Sequence, residues 1–314
     1  MKIAILDDYQ DACRSLDAWS KLAGHDVTVF RDPLKDEDAL AQRLKDFEGL
    51  VLIRERTRFT ASLLERLPNL KALSQTGKAG SHIDLAACKK LGIAILEGSG
   101  SPYATAELTW GLILAAMRRI PQEVENLKTG AWQQTLGRGL RGRTLGIYGF
   151  GRIGSVVAGY GKAFGMKVQV FGREGSLERA RTAGFDTVSN REDFFASSDV
   201  LSLHVRLIPE TRGLVTAQDL ARMKPDAVFV NTSRAELVVP DALAAALAAG
   251  RPGFAAVDVY EEEPVLGAGH PLLRLGNAIC TPHLGYVEKD GYELYFGAAF
   301  DNLAGFAAGM TPPA

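Results

Sequence analysis

The sequence predicts an α/β protein made of two doubly wound, parallel-sheet domains. Three observations carry this. Short, wholly apolar runs alternate with longer segments of helical periodicity, the pattern of parallel strands covered on both faces. The alternation occurs twice, the second series beginning near residue 143. That second series opens on a glycine-rich strand-to-helix turn, GFGRIG at 149–154. A chain of 314 residues is long enough for two such domains, each with its own core.

In the first series KIAILD (2–7), DVTVF (26–30), GLVLIR (49–54), LKALSQT (70–76) and GIAILEG (92–98) read as buried strands. Helical patterns lie between them, as in DEDALAQRLKDF (36–47) and TASLLERL (60–67). Residues 104–130 read as one long helix with a break at Pro121, and its apolar half, LTWGLILAAM (108–117), is of buried-helix length. The second series offers TLGIYG, KVQVFG, VLSLHV (200–205), AVFVNT (227–232), FAAVDV (254–259) and AICTPH (278–283), six strands of a dinucleotide-binding domain. A C-terminal helix over 288–309, with Tyr292, Tyr295 and Phe296, returns to the first domain. The expected division is 1–101 with 286–314 as substrate domain, and 102–285 as cofactor domain.

Composition narrows the function classes. Hydrophobic residues make up 46% and charged residues 23%, as in soluble globular chains. The net charge of −1, with no run of like charges, argues against a nucleic-acid footprint. No apolar run reaches membrane-spanning length, and the N-terminus meets Asp7 and Asp8 after four apolar residues, too few for a leader. Cytoplasmic localisation is the resulting expectation. Cys13, Cys88 and Cys280 fit neither a disulfide framework nor a zinc pattern, so free thiols and no metal are expected.

The GFGRIG turn has the context its chemistry needs, a strand before it and a helix after it. Gly149 permits the tight turn, Gly151 lets a pyrophosphate approach the backbone, and Gly154 lets helix pack on strand. Arg152 and Ile153 complete the turn, whose helix presents its positive end to phosphates. An acidic residue normally closes the next strand and holds the adenosine ribose. Here that position is Gly172, followed by Arg173 and Glu174. Without the carboxylate a 2′-phosphate is not repelled, and Arg173 offers it a fork. NADP is therefore favoured, while Glu174 keeps NAD open by lying within reach of the ribose.

Three segments bring polar side chains to the carboxyl ends of successive strands, where open α/β sheets bind ligands. NTSRAELV carries Thr232, Ser233 and Arg234; VDVYEEEP carries Asp258 and Glu263; TPHLG carries His283 and Gly285. Reduction of a 2-keto acid needs a cation for the carboxylate and ketone, which Arg234 can supply bidentately. It needs a proton donor for the developing alkoxide, which suits His283. A carboxylate on the other ring nitrogen, Glu263, orients the ring and favours its protonated form.

With GFGRIG, LHVRLIPETRGLV, FVNTSRAELV, VDVYEEEP and TPHLGY in this order, the chain resembles the D-isomer-specific 2-hydroxyacid dehydrogenases over nearly its whole length. The resemblance implies a Rossmann cofactor domain inserted into a flavodoxin-like substrate domain. It implies Arg234, Glu263 and His283 as the catalytic trio, and Asp258 near the nicotinamide carboxamide. It lines the cofactor with His204, Val205 and Thr211, with Thr232, Ser233 and Gly285, and with the glycine-rich turn. VLIRERT and SQTGKAGSHIDL match the substrate loops. The backbone at Gly77 and Lys78 would take the substrate carboxylate, and Arg54 or Arg56 would serve a second anionic group or stay an ordinary surface arginine. Arg206 departs from the family's usual proline and could add to a 2′-phosphate site. A homodimer contact is implied over Ala104–Leu136. The resulting expectation is hydride transfer between a nicotinamide and a small 2-keto or D-2-hydroxy acid, in a cleft that closes over the substrate. The alternative is a corepressor-like interaction protein on the same fold. A formate dehydrogenase is disfavoured, because that branch pairs its histidine with Gln rather than with Glu263.

Overall fold

The computed structural model describes residues 1–310 and divides into two units, Met1–Ser101 with Val287–Ala314, and Pro102–Tyr286. Residues 311–314, where the expected first domain ends, lie outside the described residues.

The first unit holds strands β1 (Lys2–Ile5), β2 (Asp26–Val29), β3 (Gly49–Leu52), β4 (Ala72–Gln75) and β5 (Ala94–Glu97). All pair in parallel in the order β2-β1-β3-β4-β5, the flavodoxin-like winding. β3 and β4 are buried at every position, which is why they read as unbroken apolar runs. The C-terminal helix Lys289–Ala307 packs on this sheet through Tyr292, Tyr295, Phe296, Phe300 and Leu303. It is tied there by Ser74 Oγ donating to Ala299 O at 2.8 Å.

The second unit holds β6 (Thr144–Tyr148), β7 (Lys167–Phe171), β8 (Asp186–Thr187), β9 (Val200–Leu203), β10 (Val228–Asn231), β11 (Phe254–Val257) and β12 (Ala278–Cys280). Their order is β12-β11-β10-β9-β6-β7-β8, parallel throughout. Counted from β6 this is the doubly wound order 3-2-1-4-5-6 with a seventh strand, and its direction reverses between β6 and β9. The sequence expectation of six strands lacks β8, a two-residue edge strand with no apolar run to announce it.

The expected helix over 104–130 is two helices, Tyr103–Met117 and Ile120–Lys128. The chain breaks before Pro121, at Arg119, whose φ of 57° leaves the helical region. Pro121 falls in the first turn of the second helix, where its missing N–H has no helical partner to lose. The apolar first helix also differs from its expected use as an interface. Trp110, Leu112, Ile113, Ala116 and Met117 are buried within their own unit, against helix Arg152–Ala163, β10 and β11. Apart from Tyr103 at its start, the exposed large apolar side chains of this stretch come later, at Ile120, Val124, Leu127, Trp132 and Leu136.

All three cysteines are free, Cys13 and Cys88 in the core and Cys280 half-buried. Asp8, Asp11 and Cys13 bring ligand-type atoms within 4.8 Å of one another. Each carboxylate there has local work: Asp8 accepts from Cys13 N at 2.9 Å and Asp11 pairs with Arg14 at 2.9 Å.

Candidate active site

The glycine-rich turn joins β6 to helix Arg152–Ala163. Gly149 has φ 95°, and a Cβ there would meet His204 O at 2.6 Å. A Cβ on Gly154 would overlap Gly149 O and press on His204 Cβ at 3.1 Å. Gly151 is different, since a Cβ there would enter open space. No side chain caps this helix, so the donors of its first turn are not taken by a capping group. An open cradle at Gly151 beside a helix start without a side-chain cap fits the diphosphate of a dinucleotide. The turn is braced from behind: Phe150 N donates to Ser176 Oγ at 3.0 Å, and Arg179 donates to Phe150 O from Nε at 3.3 Å and Nη2 at 3.1 Å.

Gly172 follows β7, and a Cβ on it would lie 3.3 Å from Ser176 Cβ. Arg173 is exposed, and its guanidinium makes no hydrogen bond or ion pair among the described residues. Glu174 is exposed and pairs with Arg181, Oε1 to Nη1 at 2.7 Å, one helical face along. Arg206 is exposed, while Thr211 is buried and pins that loop by donating to Arg206 O at 2.7 Å. His204, half-buried with Val205, contacts Ser202 Oγ through Nε2 at 2.9 Å, and burial lowers its pKa to about 3.

Beyond β10, Asn231 shapes the loop carrying Arg234. Its Oδ1 accepts from Ser233 N at 3.0 Å and its Nδ2 donates to Arg234 O at 2.9 Å. Ser233 Oγ donates to Leu203 O at 2.7 Å, and Arg234 Nη1 donates to Ser233 O at 2.7 Å. Thr232 is buried, with its hydroxyl 2.7 Å from that of Thr109.

His283 and Glu263 meet, Nδ1 to Oε2, at 2.6 Å, each side chain about a quarter to a third exposed at 22% and 32%. The second oxygen of Glu263 accepts from Tyr260 N at 2.9 Å. Asp258, with no exposed surface, ties down both flanks of His283. Its Oδ1 accepts from Thr281 Oγ1 at 2.6 Å and Leu284 N at 2.7 Å, and its Oδ2 from Gly285 N at 2.8 Å. Burial nevertheless holds the Asp258 carboxyl above the usual carboxylate range. Gly285 O in turn accepts from Thr105 Oγ1 at 2.7 Å. Thr105, Thr109, Asn231, Tyr260 and Thr281 escaped the sequence reading. Asn231, Tyr260 and Thr281 lie inside the NTSRAELV, VDVYEEEP and TPHLG motifs, whereas Thr105 and Thr109 sit on an apolar helix that carries no chemical signal.

In the first unit, the Arg54 guanidinium lies over Gly77, so a Cβ on Gly77 would overlap its Nη1. Arg54 has φ 54°, with Arg54 O accepting from Gln75 Nε2 at 2.8 Å. Arg56 donates to Asp7 O at 2.6 Å and lies 4.5 Å from the Tyr9 ring centre. The Lys78 ammonium pairs with Glu97 at 2.8 Å.

A model of the D-isomer specific 2-hydroxyacid dehydrogenase NAD-binding domain matches residues 110–285. Glyoxylate reductase from Aeropyrum pernix is 35% identical over 99% of this chain and 91% of its own length. D-3-phosphoglycerate dehydrogenase from Methanocaldococcus jannaschii is 36% identical over 93% of this chain and 55% of its own. The crystal structure of a phosphoglycerate oxidoreductase from Vibrio cholerae superposes with a TM-score of 0.96 at 56% identity, covering 98% of this chain and 99% of that one. The chain belongs to the D-isomer-specific 2-hydroxyacid dehydrogenases. It is an oxidoreductase acting on the CH–OH group of its donor, with a nicotinamide cofactor on the second unit. Among the described residues no helix is long and apolar enough to cross a membrane.

Proposed function

We propose that this enzyme reduces a small 2-keto acid to the D-2-hydroxy acid and prefers NADPH. The observation that carries the acid–base part is the 2.6 Å contact of His283 Nδ1 with Glu263. With Nδ1 held by a carboxylate, Nε2 is left as the atom that delivers a proton to the substrate oxygen. Arg234 holds the substrate carboxylate and polarises the ketone, and the Asn231 and Ser233 bonds fix its loop. The bound nicotinamide supplies the hydride. The backbone at Gly77 and Lys78, with Arg54 above Gly77, is the proposed carboxylate contact of the first unit. Arg56 is committed to Asp7 O and Tyr9, so it supports that loop more than a second anionic group. Asp258, implied near the carboxamide, has no exposed surface and accepts from three internal donors, so its proposed part is to fix the His283 loop at that rim. Thr232, Ser233 and Gly285 stand at the same rim.

Three features support NADPH. Gly172 brings no carboxylate, Arg173 is exposed beside it, and Glu174 is paired with Arg181. One charge-assisted contact to a 2′-phosphate contributes about 1.5–3 kcal/mol, reduced at an exposed rim by salt. The test is kcat/KM with NADPH and NADH across pyruvate, glyoxylate, hydroxypyruvate, phenylpyruvate and 2-ketobutyrate, for wild type, Arg173→Ala and Glu174→Ala. Arg173→Ala should lose about tenfold with NADPH and little with NADH. Equal loss with both would place Arg173 on the shared adenosine, and turnover of none of the acids would favour the corepressor-like alternative. The relatives named above are dehydrogenases and reductases, which supports the enzymatic reading. Free thiols at all three cysteines support a reducing, cytoplasmic setting.

A further inference from the structure

We infer that Tyr260 is a positioning residue that brackets the His283–Glu263 pair from both ends, an inference that rests on the acid–base reading above. Tyr260 stands three residues beyond β11, 8% exposed. Its backbone N–H donates to Glu263 Oε1 at 2.9 Å, which leaves Oε2 aimed at His283. Its hydroxyl donates to Thr281 O at 2.9 Å. That carbonyl oxygen also accepts from His283 N, at 3.0 Å, in the tight turn where His283 takes φ 52°. One side chain therefore holds the acceptor that fixes the histidine backbone, while its own backbone holds the carboxylate facing the imidazole.

The Tyr260 ring is itself held. His270 lies edge-on to it with ring centres 5.0 Å apart. The His270 ring is fixed by Glu261 Oε2, 3.0 Å from Nε2, and by Leu272 N donating to Nδ1 at 3.3 Å. Burial pushes the Tyr260 phenol well above its usual range, so the hydroxyl stays a donor at any working pH. Tyr260→Phe removes the hydroxyl, with its hydrogen bond to Thr281 O and its contact with the Cys280 thiol, while the ring, the backbone donor and the packing are retained.

The experiment measures steady-state reduction of the best keto acid by wild type, Tyr260→Phe, His270→Ala and His283→Ala, together with the downfield imidazole N–H proton resonance. Loss of that resonance in His283→Ala assigns it. Tyr260→Phe should lower kcat about tenfold, the scale of a slightly misplaced catalytic group. KM for keto acid and cofactor should change less than about twofold, since neither is touched by Tyr260. The resonance should move upfield as the Glu263 contact lengthens. His270→Ala should act in the same direction more weakly, and it decides the matter if Tyr260→Phe does not fold. Wild-type kcat with an unmoved resonance would overturn the proposal, as would a loss spread equally over kcat and KM. Normal turnover in His283→Ala would instead sink the acid–base assignment itself, a separate outcome.

Discussion

His283 adopts φ 52°, a region that costs a non-glycine residue of order 1–3 kcal/mol and persists only where its surroundings impose it. The surroundings do so here through Asp258, whose carboxylate holds Thr281, Leu284 and Gly285 on either side. The side chain so presented should be the largest single contributor to turnover. His283→Ala is expected to lower kcat by roughly 100-fold or more, and Glu263→Gln to lower it by less, since an amide can still accept from Nδ1 but without the charge assistance of a carboxylate. Arg234→Ala should raise KM and lower kcat together, because it binds ground and transition states alike. Near-normal kcat in His283→Ala would end the assignment. His204 carries a second expectation. Burial lowers its pKa from the ordinary 6.5 to about 3, so between these values the unfolded chain binds more protons than the folded one. The stabilising contribution is complete above pH 6.5 and is lost as pH falls toward about 3. Urea midpoints taken from about pH 7 down to pH 4 should fall less steeply in His204→Gln than in wild type, and parallel slopes would contradict this. At this scale the sequence points to Arg234, Glu263 and His283 as candidates, because each residue type matches a chemical task and each follows a strand, and the structure brings Glu263 and His283 to 2.6 Å. It could not announce Tyr260 or Thr105, whose parts depend on which carbonyl a hydroxyl reaches. Nor could it tell that Lys78 would spend its charge on Glu97.

The glycine-rich turn shows how closely one element is packed against another. Helix Arg152–Ala163 approaches β6 so nearly that a methyl group on Gly154 would overlap Gly149 O. Neither neighbour is a flexible side chain that can step aside. Gly154→Ala should therefore destabilise the unit by about 1–3 kcal/mol and weaken cofactor binding, read by thermal melts with and without NADPH. Gly151→Ala should leave the melt of the free protein nearly unchanged, since its Cβ meets open space, yet weaken the cofactor shift. A large loss of stability in Gly151→Ala would refute the distinction. Eleven strands were readable as apolar runs because both faces of each sheet are covered. β8 was not, having two residues and one neighbour. The helix break was placed at Pro121 because proline is the conspicuous residue, whereas the backbone turns at Arg119, a residue type that carries no such signal.

Taken as a molecule, the chain displays apolar surface of a kind single subunits rarely keep. Leu136 is 95% exposed and Trp132 72%, with Leu127, Ile120 and Val124 nearby in sequence. A homodimer through Ile120–Leu136 is the proposed cover. Light scattering should give twice the chain mass, and Leu136→Lys with Trp132→Lys should shift it toward the monomer; a wild-type protein that stays monomeric at micromolar concentration would remove the proposal. The two-sheet architecture was legible from the repeated alternation. Within Ala104–Leu136, the segment the sequence marks for a homodimer contact, the first helix is largely buried within its own unit and the bare apolar side chains concentrate at Ile120–Leu136, a division a sequence does not show because an apolar helix that covers its own sheet reads like one left bare.

The ion pair between Glu174 and Arg181 has a consequence for how the enzyme behaves in different media. Both side chains are exposed, 74% and 52%, so their attraction is a surface one that dissolved ions weaken. At low ionic strength the pair draws the Glu174 carboxylate along its helix, away from Arg173 and the proposed 2′-phosphate contact. Added salt frees Glu174 and at the same time screens Arg173 from a 2′-phosphate. Under the proposed NADPH reading, both changes are expected to favour NADH over NADPH, so the ratio of cofactor use should follow ionic strength. Raising KCl from about 20 to about 300 mM should lower the NADPH-to-NADH ratio of kcat/KM in wild type more steeply than in Glu174→Ala, in which one of the two effects is gone.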